Sequence, residues 1–194
     1  MHETRPKAPK MTTRARAVAI TVEDLLERVR EGRVRMPNFQ RGLKWDGNDR
    51  RALVDSVYRG YPIGTVLLWK NPPSTAGGRG LRGVEDPPES GDRFLVVDGQ
   101  QRITTLWEAL GRRPDVDERT LVFSVQDAMV SARRGAGSEN AFRYRTLRAE
   151  ERDGKPAVAP DGRAPDVPLY VVLDATALSE CARRAAARNE AGLL

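Results

Sequence analysis

Two residue types are almost missing from this sequence of 194 residues: it holds one histidine, His2, and one cysteine, Cys181. A single cysteine excludes an internal disulfide and any zinc site built from several thiolates. Cys181 stands beside alanines on an expected helix and reads as a small packing residue. His2 lies in a basic N-terminal stretch. The chain therefore has no ordered imidazole for a Ser-His-Asp triad or a histidine-ligated metal. Any chemistry must rest on carboxylates, amides, arginines, lysines and a bound metal. Long apolar runs are missing too. None approaches the roughly 20 residues that a membrane-spanning helix needs. Residues 1–16 are basic but lack the apolar centre of a secretory signal. The expected location is cytoplasmic, with no membrane partner.

Charge is plentiful. Charged residues make up 31% and hydrophobic ones 39%, so part of the chain is expected to be solvated loop or tail. The 33 lysines and arginines outnumber the 27 acidic residues, for a net charge of +6. That balance favours polyanions such as nucleic acid or nucleotide phosphates. An arginine-rich proteome gives the same balance, so composition leaves both readings open. The length fits one domain with tails and is enough to bury a core without disulfides. Residues 1–17 read as a flexible basic arm, either a grip for DNA or an ordinary frayed terminus.

Patterning gives an α+β (mixed α/β) order with a small sheet. A helix is expected from Thr21 to Gly32, with Ile20, Leu25, Leu26 and Val29 as its apolar stripe and Asp24 in a capping position. Val34 to Met36 read as a short strand stopped by Pro37, and the chain then loops to Trp45. Asp46 or Asn48 caps a helix to about Arg59, which Gly60 ends. Thr65 to Trp69 read as a buried strand, and 71–92 as a long solvated loop. Phe94 to Val97 form a strand, and Gln100 to Leu110 a helix ended by Gly111. Leu121 to Val125 are a further strand. Residues 127–166 read as charged loop, with a short element around Phe142 to Leu147. Leu169 to Leu173 make a last strand, and Asp174 or Thr176 caps a final helix.

Two clusters carry chemistry. The first is Asp98-Gly99-Gln100-Gln101-Arg102, where a strand turns into a helix. Backbone N–H groups at a helix N-terminus favour phosphate. Gly99 permits a tight turn or close approach of a ligand. Arg102, one turn in, can fork two donors onto phosphate oxygens. Asp98 can hold a divalent cation, and a neutral glutamine can orient an attacking water. The competing reading has Asp98 cap the helix and leaves both glutamines solvated. The second cluster is Pro37-Asn38-Phe39-Gln40-Arg41 with Lys44 and Trp45. Gln40 and Arg41 repeat the amide-guanidinium pairing, so two such sites could clamp one polyanion. Phe39 and Trp45 could stack a base, or both could be core. Ser56 is expected to pack or cap, since no base is assignable to activate it.

These stretches together resemble the N-terminal domain family of GmrSD-type restriction endonucleases, which has a ParB/sulfiredoxin-like fold. The resemblance rests on Pro37-Asn38-Phe39-Gln40-Arg41 with Trp45, on Asp55-Ser56 followed by Gly60-Tyr61-Pro62-Ile63-Gly64, and on Val97-Asp98-Gly99-Gln100-Gln101-Arg102 followed by Thr104-Thr105-Leu106. Order and spacing agree from about Thr21 to Val125. The resemblance implies a small sheet flanked by helices and a Mg2+-dependent domain that binds and hydrolyses a nucleoside triphosphate, GTP or ATP. Hydrolysis in such systems is coupled to restriction of modified DNA or phage defence, as in phosphorothioate-sensing enzymes of the SspE kind. Carried over by motif match, Asp98, Gln100, Gln101 and Arg102 would be catalytic, with Asp98 also the metal ligand. Gly99, Gln40 and Arg41 would bind nucleotide or phosphate. Phe39, Lys44 and Trp45 would face or sense DNA. Phe39 stands where the family usually has tyrosine, which removes a hydroxyl.

The implied organisation is a basic arm (1–17), an NTPase core (18–125) and a C-terminal part of the same domain (126–194). The histidine-containing nuclease domain that often follows is missing. The chain is thus expected to be a fragment, a stand-alone sensor subunit or the partner of a separate nuclease, with a homo-oligomer among the expected assemblies. A non-hydrolytic module that senses modified DNA is the second reading, and a nuclease in its own right the third.

Overall fold

Thr21 starts the first helix as its position implies: its hydroxyl accepts the Asp24 N–H at 3.0 Å. The computed structural model describes residues 15–38, 44–72, 77–84, 92–135, 141–152, 166–176, 178–179 and 183. Helix α1 (Val22–Arg30) buries Leu25, Leu26 and Val29, and carries Glu23 and Asp24 in its first turn against the helix dipole. Strand β1 (Val34–Arg35) follows. Helix α2 (Gly47–Tyr58) starts at Asp46 with a complete capping box. Strands β2 (Leu67–Lys70) and β3 (Phe94–Asp98) come next, then α3 (Gln100–Leu106). Beyond them lie β4 (Arg119–Ser124), α4 (Val125–Arg133), β5 (Phe142–Thr146), α5 (Ala149–Arg152) and β6 (Asp166–Pro168).

The strands form two small sheets. In the first, β3 is central, with β1 parallel on one side and β2 antiparallel on the other. In the second, β4 is central between antiparallel β5 and β6. One apolar cluster joins both sheets. It runs from Leu26 and Val29 through Val96, Ile103 and Leu106 to Leu121, Phe142 and Leu169. Each such side chain stabilises the fold by about 1.5–3 kcal/mol when fully buried. The fold is mixed α+β, with small sheets flanked by helices.

Five expectations change. The helix expected to run to Leu110 is α-helical only to Leu106, and Trp107–Gly111 close a π-turn. Trp107 lies against Gly111 so closely that a Cβ there would stand 2.2 Å from its ring. The indole also donates to the Arg82 carbonyl at 2.9 Å. The strand around Trp69 is not buried but an exposed edge, with Leu67 and Trp69 about half exposed. Residues 77–84, expected as solvated loop, fold onto the core. Met36 and Arg79 exchange backbone hydrogen bonds of 2.9 and 2.8 Å, which satisfies the end of β1, and Leu81 is buried. Residues 127–133 are helical rather than loop, in a helix that already begins at Val125, because Ser124 caps it by accepting the Asp127 N–H. The strand expected over 169–173 is instead β6, ending at Pro168, followed by a 3-10 turn over Leu169–Val171. Pro168 has no N–H to continue a ladder. Residues 175–176, 178–179 and 183 are helical, while Cys181 and Ala182 lie outside the described residues.

Candidate anion-binding site

Strand β3 delivers Asp98, exposed, at its last position, opposite Leu67 of β2. A register shift between Leu67 and Leu68 breaks the ladder there. Such irregularities bend a strand and often lie next to active sites. Gly99 then turns the chain with φ 94°. A side chain at this position would also meet Val66, with contacts of 3.1 Å to Cγ2 and 3.3 Å to Cα. Conformation and space both require glycine here.

Gly99 is the N-cap of α3, and among the described residues no side chain caps that end. Its carbonyl accepts the Ile103 N–H at 3.0 Å. The first turn contains no acidic residue. Within that turn no acidic side chain offsets the positive end of the helix, a setting that suits an anion. Arg102 stands on this turn. Its Nη1 donates to the Thr65 carbonyl at 3.1 Å, and its guanidinium passes 3.6 Å from where a Gly64 side chain would begin. The backbone between β2 and α2 thus aims the arginine while leaving it further donors.

Gln101 joins the two clusters. Its Oε1 accepts the backbone N–H groups of Lys44 at 3.1 Å and of Trp45 at 3.2 Å. Lys44 is exposed, and Trp45 is half-buried and packs against the core. The next residue, Asp46, accepts the N–H groups of Asn48 and Asp49, and the latter contact chiefly holds its carboxyl below the usual range. Phe39, Gln40 and Arg41 lie outside the described residues. Gln100 is half-buried at the first position of α3. Ser56 donates to the Ala52 carbonyl at 2.8 Å, an ordinary helical back-bond, and Asp55 pairs with Arg59 at 2.7 Å.

The Gly64-Thr65-Val66 backbone was not singled out for a role from the sequence. It contributes a carbonyl and van der Waals surface rather than reactive side chains, so the only signal was Gly64 itself. Among the described residues, no group of three or more acidic, histidine or cysteine side chains could hold a metal. Asp98 alone fits Mg2+ only in the manner of nucleotide sites, where one or two carboxylates share the ion with phosphate oxygens. No helix among the described residues is long and apolar enough to cross a membrane.

Fold and site together define a small α+β domain with amides and a guanidinium gathered at one strand end. The chain belongs to the GmrSD restriction endonuclease N-terminal domain family, whose family model matches residues 22–161. An uncharacterized protein of Methanocaldococcus jannaschii is 37% identical over 95 residues, or 45% of this chain. The match covers only 16% of that longer protein. The family match reaches past Val125, through β5 and α5, beyond the stretch that carried the resemblance.

Proposed function

We propose that this domain binds and hydrolyses a nucleoside triphosphate as the sensor of a modification-dependent DNA restriction system, with cleavage left to a separate nuclease domain or subunit. The uncapped first turn of α3, with Arg102 held beside it by Thr65, is the observation that carries this reading. Membership of a restriction-endonuclease family supports the setting.

In the proposed reaction, water attacks the γ-phosphorus and the bond to the β–γ bridging oxygen breaks, releasing phosphate and nucleoside diphosphate. The leading amides of α3 bind phosphate oxygens, and Arg102 offsets the charge that develops on them. Gln100 orients the water. Asp98 would hold Mg2+, which supplies charge neutralisation at the phosphates when bound. Gln40 and Arg41 are assigned to the nucleotide or its DNA-facing rim, and Phe39, Lys44 and Trp45 to DNA.

A titration with labelled GTP and ATP, with and without modified DNA, tests the reading. Nucleotide binding with phosphate release stimulated by DNA is expected. Salt-sensitive DNA binding with no response to either nucleotide would leave only a DNA-binding module. Plasmid nicking by the purified chain with Mg2+ or Mn2+ would make it a nuclease itself.

A further inference from the structure

We infer that Gln101 is a positioning residue: its side-chain carbonyl clamps the Lys44–Trp45 backbone to the first turn of α3, so loop and anion site hold one geometry. Two backbone N–H groups, 57 and 56 residues away in sequence, converge on this one oxygen. Backbone N–H groups only donate, so they fix the orientation of the amide, with Oε1 toward the loop. The clamp continues a run of side-chain acceptors. Lys44 and Trp45 donate to Gln101, Asp46 donates to Asp49 at 3.1 Å, and Asn48 and Asp49 donate to Asp46. The entry to α2 is thus specified by side chains at every one of these amides, and the Gln101 contact is the one among them that reaches another element.

The carbonyl of Gln101 is engaged in this clamp, which removes it from the water-orienting role that the pentapeptide suggests. That role falls to Gln100 alone.

Hydrogen exchange measured by NMR on the full chain without nucleotide tests the clamp. In the native protein the Lys44 and Trp45 amides should exchange slowly. Gln101→Leu, similar in size but without an acceptor, should speed both at least about tenfold. Gln101→Glu keeps an acceptor at the same reach and should leave them slow. Unchanged Val96 and Leu106 amides show that each variant is folded. If Gln101→Leu unfolds, a faster exchange at Lys44 and Trp45 in folded Gln101→Glu would overturn the clamp, and native rates there would uphold it. Unchanged Lys44 and Trp45 exchange in folded Gln101→Leu would also overturn it.

A kinetic arm rests on the proposed hydrolysis. Gln101→Leu should raise KM for the nucleotide several-fold and leave kcat within about threefold. A hundredfold loss of kcat at native KM would instead make Gln101 catalytic. A native protein that turns over no nucleotide would refute the proposed function while the exchange data still decide the clamp.

Discussion

At Gly99 a single hydrogen stands where any other residue would place a carbon against Val66, on a backbone turned to φ 94°. The left-handed conformation alone costs a substituted residue about 1–2 kcal/mol. Gly99→Ala should therefore lower unfolding stability in urea by at least that amount. Adding Val66→Ala should relieve crowding but not the backbone cost. A native midpoint for Gly99→Ala would show that this turn is not needed. Glu118 supplies a pH dependence. Burial raises its pKa, but hydrogen bonds from Arg112 and from the Asp115 N–H outweigh that, and the net shift is downward. Its stabilising contribution is then present at neutral pH. It is lost as pH falls below the ordinary carboxylate value of about 4.3 and through the lowered one. Glu118→Gln should cost about 1–2 kcal/mol at pH 7, with the gap to the native protein closing in acid. A gap that stays constant to pH 3 would contradict the assignment. Asp98-Gly99 was legible as a turn because glycine advertises it. Glu118 was not, since its partners Arg112 and Arg82 come together only when the turn after Trp107 brings them near.

Elements with local punctuation were read correctly. Thr21, Asp46, Gly32 and Gly60 bound α1 and α2, and a short apolar run ending at Asp98-Gly99 marked β3. Elements whose form depends on distant packing were not. No local signal separates an α-turn from a π-turn at Trp107; the widened turn comes from seating a large ring against Gly111 and bonding its N–H to Arg82. Gly111→Ala should force that ring to move and destabilise the protein by about 1–3 kcal/mol. Near-ultraviolet circular dichroism should change with it. An unperturbed aromatic spectrum and native stability would contradict this account of the turn. Leu81 similarly looked like loop because its flanking glycines and arginines hide one core residue.

Across the whole molecule the second sheet is tied down by charge as well as by the shared core. Arg145 pairs with fully buried Glu151 and with Asp166 at 2.9 Å, while Tyr170 donates to the Glu151 carbonyl at 2.6 Å. These contacts link β5, α5 and β6. Arg145→Ala would leave the buried Glu151 without its cationic partner, keeping only the Arg148 N–H at 2.8 Å among the described residues, at a cost of about 3–5 kcal/mol. Thermal unfolding should show a large drop in Tm. A small one would mean that Glu151 finds water or another partner. None of this network was visible in a stretch read as charged loop, because long-range ion pairs have no sequence period. The candidate site was about half legible: its pentapeptide announced itself, whereas the Thr65 carbonyl that aims Arg102 and the Lys44 and Trp45 amides that Gln101 holds are backbone groups. The proposed role of Arg102, on the first turn of α3, is in nucleotide turnover. It is tested most directly by phosphate release from GTP and ATP with Mg2+ and modified DNA, comparing the native chain with Arg102→Ala. The native chain should show DNA-stimulated release and the folded variant a loss of at least about 100-fold, while equal turnover in both would contradict a role for Arg102 in turnover.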